Sequence, residues 1–217
     1  MNRASGYPHC TAWYMTHLGW LARLRGRDDE AIAVGRRAVD LCEQHEHHWW
    51  QAATRAMLGD TLLVSGDRAG AVTLYEEGLA AARKSGMEAY LLRCAAPLAA
   101  ATGSSAVLAE AADWLEQAGI PDGGAWMLGY EVYLSLAEAW LGHGEPDRAR
   151  AVLAPLLAVA EREPWIPALA AALAADGRAL ARLGQREQAR TALQRAARLA
   201  GEHGLPHVLR DVREALG

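Results

Sequence analysis

Five glycines, at positions 26, 66, 103, 144 and 184, divide the 217-residue chain at spacings of 40, 37, 41 and 40. Each sits in a short polar turn between two apolar segments: Arg25-Gly26-Arg27-Asp28, Ser65-Gly66-Asp67-Arg68, Thr102-Gly103-Ser104-Ser105, His143-Gly144-Glu145-Pro146 and Leu183-Gly184-Gln185-Arg186. A glycine just past a helix end permits the left-handed cap. Asp28, Asp67 and Ser104 then offer side-chain oxygens to open the next helix. Pro146 suits a first helical turn, where a missing N–H costs nothing. A period of this length implies one supersecondary unit stacked on copies of itself.

The flanks of the turns repeat as well. Seven residues before each glycine stands a small residue: Gly19, Gly59, Ala96, Ala137 and Gly177. Five residues after it come Ala31, Ala71, Leu108, Ala149 and Ala189. Nine after come Gly35, Tyr75, Ala112, Leu153 and Leu193, and twelve after come Ala38, Gly78, Leu115, Leu156 and Ala196. Small residues let two helices cross closely, and larger ones fill the gap to the next hairpin. Alanine and leucine dominate the apolar fraction, and both favour helix. Phenylalanine is absent and isoleucine appears only at Ile32, Ile120 and Ile166, which argues against a large sheet.

The pattern of small residue, seven-step gap, turn glycine, alanine and bulky residue resembles the tetratricopeptide repeat over nearly the whole chain. The usual period is ~34 residues; here it is near forty. The longer period, with His48-Trp49-Trp50, the segment Ala71 to Ala82 and the run from Gly144 to Leu153, resembles the helical repeat region of large bacterial transcription regulators of the MalT-like, LuxR-type ATPase class. The expected fold is therefore all-α: a right-handed superhelix of about five hairpins with a C-terminal capping helix, in one domain spanning 1–217. The repeats fall near 8–46, 49–84, 87–118, 125–162 and 166–203, with the cap near 205–216. Helices are expected near 8–25, 28–46, 49–64, 67–84, 87–102, 104–118, 125–142, 146–162, 166–183, 186–203 and 205–216.

Some positions break the pattern. Pro97 lies inside a helix and should kink it. Asp176 stands where an apolar residue is expected, which marks drift, a bend, a buried polar contact or a ligand site. The longest link, Gly119 to Gly124, is the candidate hinge. No capping helix precedes the first hairpin, so that end is expected to meet another domain or subunit, or to mark a piece of a longer protein. A homodimer through it is one such arrangement.

In a stack of this kind the first helix of each hairpin lines the concave side. The register places Trp13, Trp20 and Arg23 there in the first repeat, Asp60 in the second, Tyr90 and Arg93 in the third, Glu131 and Glu138 in the fourth, and Arg178 and Arg182 in the fifth. Aromatics and arginines are enriched at binding hot spots, so these are the candidate contacts for a partner or ligand. Packing of Trp13 and Trp20 against neighbouring hairpins is the alternative. Reversing Arg93 and Arg178 to glutamate should then abolish partner binding with helicity unchanged. The Lys/Asn clamp with which some tetratricopeptide proteins hold a C-terminal carboxylate is not matched here.

His45, His47 and His48 suggest metal chemistry, but a closed site needs three or four ligands in fixed geometry. Solvated histidines at a helix end are the plainer reading, so no metal is assigned. No GxSxG, HExxH, GxxxxGK[ST] or CxxC motif occurs, and no cofactor is expected. Cys10 and Cys94 read as small core residues, and three scattered cysteines suit a reducing compartment. A net charge of -4 offers no footprint for nucleic acid. With no signal peptide or membrane span expected, the chain reads as cytoplasmic. The leading expectation is a non-catalytic protein-interaction module binding a protein, a peptide or another domain of its parent. The resemblance implies the sensor or scaffold region of a bacterial transcription regulator. The alternative is a domain that senses a small molecule in the concave groove.

Overall fold

The computed structural model describes residues 8–45, 48–86, 88–118, 126–163 and 165–217. These form eleven helices: α1 (Pro8–Leu24), α2 (Asp28–Glu43), α3 (His48–Val64), α4 (Arg68–Ser85), α5 (Glu88–Thr102), α6 (Ser105–Ala118), α7 (Trp126–Gly142), α8 (Pro146–Arg162), α9 (Ile166–Arg182), α10 (Arg186–His203) and α11 (Pro206–Leu216). No strand occurs among the described residues. The helices pair as five hairpins, and α11 packs on α9 and α10 as the cap.

The turn glycines do what the spacing requires. Gly26, Gly66, Gly103, Gly144 and Gly184 all take positive φ, between 69° and 93°. At four of the five turns the next residue's N–H reaches back to the preceding helix, as from Glu145 to the Trp140 carbonyl at 2.9 Å and from Asp67 to that of Leu62 at 2.9 Å. This is the Schellman closure, and it satisfies carbonyls that the helix end leaves open. At the third turn Ser104 N–H turns to the Thr102 hydroxyl at 3.3 Å instead. A Cβ at Gly144 would meet nothing within 4 Å. Gly144→Ala therefore tests backbone strain alone, and should cost about 1 kcal/mol and lower the melting midpoint by about 3 °C in a scanning calorimeter.

The helix starts differ in one detail from expectation. The Asp67 carboxylate caps α4 by accepting Gly70 N–H at 2.9 Å, and the Ser104 hydroxyl accepts Val107 N–H at 3.4 Å. Asp28 does not cap α2. Arg27 holds the cap position without a side-chain bond, and Asp28 lies inside the first turn, where its carboxylate faces His207. Helix α2 stops at Glu43, with a turn at Gln44 and His45. Helix α5 runs on through Pro97 to Thr102. Asp176 accepts a bond from Arg150 Nε at 2.8 Å, so the odd carboxylate joins α9 to α8. Cys42 and Cys94 are buried, whereas Cys10 is half-buried. The expected hinge, Gly119 to Gly124, lies outside the described residues, as does His47.

Packing follows the columns. Gly19, Gly59, Ala96, Ala137 and Gly177 are all buried, and so are Ala31, Ala71, Leu108, Ala149 and Ala189. The bulky columns bury Tyr75, Leu153, Leu156 and Leu193. The third repeat differs: Ala112 and Leu115 are only half-buried. At the other junctions the second helix of one hairpin packs on the first helix of the next, but α6 barely touches α7, which α5 packs against instead. That leaves an apolar groove between α6 and α8 over Tyr133, Leu136 and Trp140.

The stack curls until its ends meet. Trp20 joins the cluster that holds Tyr130 and Tyr133, with Trp165 against it. Leu24 packs with Leu205 and Val208. His207 Nε2 lies 2.9 Å from the Asp28 carboxylate, and Arg210 donates to the Val64 carbonyl at 3.3 Å. The first hairpin thus touches the fourth, the fifth and the capping helix.

Candidate functional site

The ten candidate residues do lie on the first helices of the hairpins, but the curl brings their charges onto one another. The centre is Arg93 of α5, 3 % exposed. It donates to the Asp60 carboxylate of α3 and to the Glu131 carboxylate of α7. Arg23, from the end of α1, donates to Glu131 from the other side. Tyr75 of α4 donates its hydroxyl to Asp60 Oδ1 at 2.9 Å. Two guanidinium groups and two carboxylates therefore neutralise each other in the middle of the curl, joining four helices of four different hairpins.

Burial sets the electrostatics. It acts to raise the Glu131 carboxyl, but the charges of Arg23 and Arg93 override it and hold the group at about 2. Burial raises Asp60; Arg93 pulls it down and the Glu131 charge pushes it up again. Burial also works against the charge on Arg93, and Asp60 and Glu131 more than offset it. Tyr75 is raised by burial and then by the adjacent Asp60 charge, so its hydroxyl stays a donor. An arginine in this setting is always charged. Its value here is in the pairing, because two carboxylates this close need a cation between them.

The remaining candidates are also engaged. Arg178 of α9 donates to Glu138 of α7, and Arg182 donates to the Leu141 carbonyl. Burial raises Glu138, with Arg178 pulling the other way. Trp20 and Tyr90 are each 7 % exposed. Trp13 is half-buried, its ring 4.7 Å from Trp50 and 4.2 Å from His17. Sequence reasoning did not reach Tyr75, which belongs to a second helix, although the bulky column already marked its position. Nor did it reach Tyr130, whose hydroxyl lies 3.4 Å from Glu131. His45 and His48 are exposed, and His48 meets Gln51 at 3.3 Å. Among the described residues no group of three or more His, Cys, Asp or Glu is placed to hold a metal ion.

Beside this quartet lies a chamber of about 200 Å3. Arg23, Asp60, Tyr130, Glu131 and Ser135 form its polar wall, Leu63, Pro97, Leu134 and Val208 line the apolar part, and α11 supplies His207 and Asp211. Arg23 of α1 reaches α7 across this region by its pair with Glu131.

These features define a class: an all-helical solenoid of hairpin repeats, curled until the ends touch and closed by a capping helix. Residues 11–46, the first hairpin, match the tetratricopeptide repeat family model. Most of the chain is similar in fold to two crystal structures of the nearly identical TPR-like repeats of a putative kinesin light chain from Podosopora anserina. One, a variant with a single substitution, has a TM-score of 0.53 at 20% identity and covers 90% of this chain and 97% of its own. The other has a TM-score of 0.52 at 20% identity, covering 91% and 98%. No curated protein matches the chain in sequence. No helix among the described residues is long and apolar enough to cross a membrane.

Proposed function

We propose that this chain is a non-catalytic protein-interaction module. The observation that carries the reading is on α1. Tyr14, Leu18 and Leu21 are 61 %, 58 % and 47 % exposed, and among the described residues the other large apolar side chain so exposed is Leu216, on the last helix. They recur at four- and three-residue steps and so share one helix face. Large apolar side chains left in water along one stripe are a mark of a covered surface. The partner is a protein or peptide, or another domain of a larger cytoplasmic parent such as a bacterial transcription regulator. Pairing of two copies through this end is the self-associating form of the same reading. The inner-wall residues, from Trp20 and Arg23 to Arg178, support the curl, and a partner reaching them has to break Arg–carboxylate pairs first.

Crosslinking of the full chain in an extract of its source cells should recover a protein whose crosslinks map to α1. Leu18→Glu should lose that protein while keeping the melting midpoint, since the side chain is already in water. Recovery of the same partner by the variant would remove the stripe from the reading. A second reading, small-molecule sensing, is favoured by the chamber beside Arg23 and Glu131. A metabolite that saturates and raises the midpoint, with the effect lost in Ser135→Leu, would support it.

A further inference from the structure

We infer that the seam between the first and last hairpins is a docking site for an acidic amphipathic helix of a partner protein. This rests on the interaction-module reading and narrows it to one surface and one chemistry. The exposed stripe on α1 does not end at Leu21. That residue also forms one wall of a cleft where α1 faces the start of α9 and the end of α10. Trp20, Leu24, Trp165, Ile166, Pro167 and Leu205 make the apolar surface of the cleft. A helix laid along Tyr14, Leu18 and Leu21 can therefore drive an apolar side chain into the seam at its end. This is helix-in-groove recognition, in which anchors at helical spacing seat in a preformed depression.

The charge at the cleft decides which helix fits. Among the described residues its lining carries Arg25 and His203 and no carboxylate. Arg25 is exposed and makes no ion pair among the described residues. The buried quartet is the opposite case, with Arg23 and Arg93 both matched by carboxylates. A partner that places glutamate or aspartate beside its apolar stripe would pair with Arg25 and gain both steering and register. A second copy of α1 cannot do this. From Pro8 to Leu24 the helix contains no acidic residue, and its one full cation is Arg23. Charge complementarity thus favours a different protein over self-pairing. Docking would also touch both ends of the curl at once, so it would hold the ring closed.

The test uses the full chain and two labelled synthetic helices. Both carry leucine at i, i+4 and i+7; one has glutamate on the flanks and the other lysine. Fluorescence anisotropy should show saturable binding of the glutamate helix at a Kd on the order of micromolar, with the lysine helix at least about tenfold weaker. Leu21→Glu and Leu18→Glu should each weaken the glutamate helix about tenfold or more, with circular dichroism unchanged. Arg25→Glu should reverse the preference toward lysine. Equal binding of the two helices, indifference to Leu21→Glu, or no binding at all would each overturn the proposal. So would a dimer in sedimentation that Leu18→Glu dissociates and the glutamate helix does not. A stripe-dependent protein recovered by crosslinking while neither helix binds would sink this inference and leave the interaction-module reading standing.

Discussion

Arg93→Met should lower the melting midpoint by about 10 °C. The substitution roughly preserves length and apolar stem, and it removes only the cation that Asp60 and Glu131 share. Arg23 is then left to serve both carboxylates, one of which it approaches no closer than 4.0 Å. Removing one member of a buried ionic set costs about 3–5 kcal/mol, because the others stay desolvated without compensation. Replacing all four of Arg23, Asp60, Arg93 and Glu131 by apolar residues of similar volume should be far milder, since it removes the desolvation cost together with the attraction. Calorimetry of both proteins separates the two effects. A single substitution as mild as the fourfold one would show that the quartet is hydrated and does not hold the curl together. Charge reversal at Arg93 therefore disturbs the fold itself. Glutamate there would place three carboxylates around one arginine, so helicity would not stay unchanged. Reversal at Arg178, which is half-buried and pairs with Glu138, should cost less stability.

The contrast between the turns and the quartet shows how much of the molecule could be read from the chain. Glycine and alanine columns are local signals: Gly26 and Gly144 had to take positive φ, and Ala71 and Ala149 had to be buried, for any stack of this period to close. The helix limits followed to within a residue or two almost everywhere. The candidate residues also lie on the first helices of the hairpins. How far the stack curls is another matter. It depends on small rotations summed over five hairpins, which no single column encodes. That sum decides whether Arg23 points into an open trough or onto Glu131, 108 residues away. It also brings Asp28 to His207, 179 residues away, so a residue that looked like a helix cap became half of a contact between the chain's two ends. The third repeat carries Pro97 inside its first helix, and its half-buried Ala112 and Leu115 are where the stack loses its regular junction.

Gly59→Ala and Gly19→Ala should move stability in opposite directions, although the two glycines occupy the same column of the repeat. In a helix interior alanine is better than glycine by about 1 kcal/mol, so the space around the new Cβ decides the sign. At Gly19 the nearest atoms are the Ala31 carbonyl at 3.5 Å and Val34 at 4.0 Å, which is ordinary contact. There is room because the partner column holds Gly35 in this repeat. At Gly59 that column holds Tyr75, and the Cβ would lie 2.6 Å from one ring carbon and 3.0 Å from two others. The ring cannot swing aside freely, since it is fully buried and its hydroxyl is bonded to Asp60. Overpacking of this kind costs about 1–3 kcal/mol, and displacing the hydroxyl would loosen the quartet as well. Gly19→Ala should raise the midpoint by a few degrees and Gly59→Ala should lower it by about 5 °C or more. Adding Tyr75→Leu to Gly59→Ala should recover part of the packing loss, and a double-mutant cycle measures that coupling. Equal effects at positions 19 and 59 would mean that the small column reflects helix crossing alone. Opposite effects would tie the second repeat's glycine to the tyrosine that orients Asp60, and so to the charges at the centre of the curl.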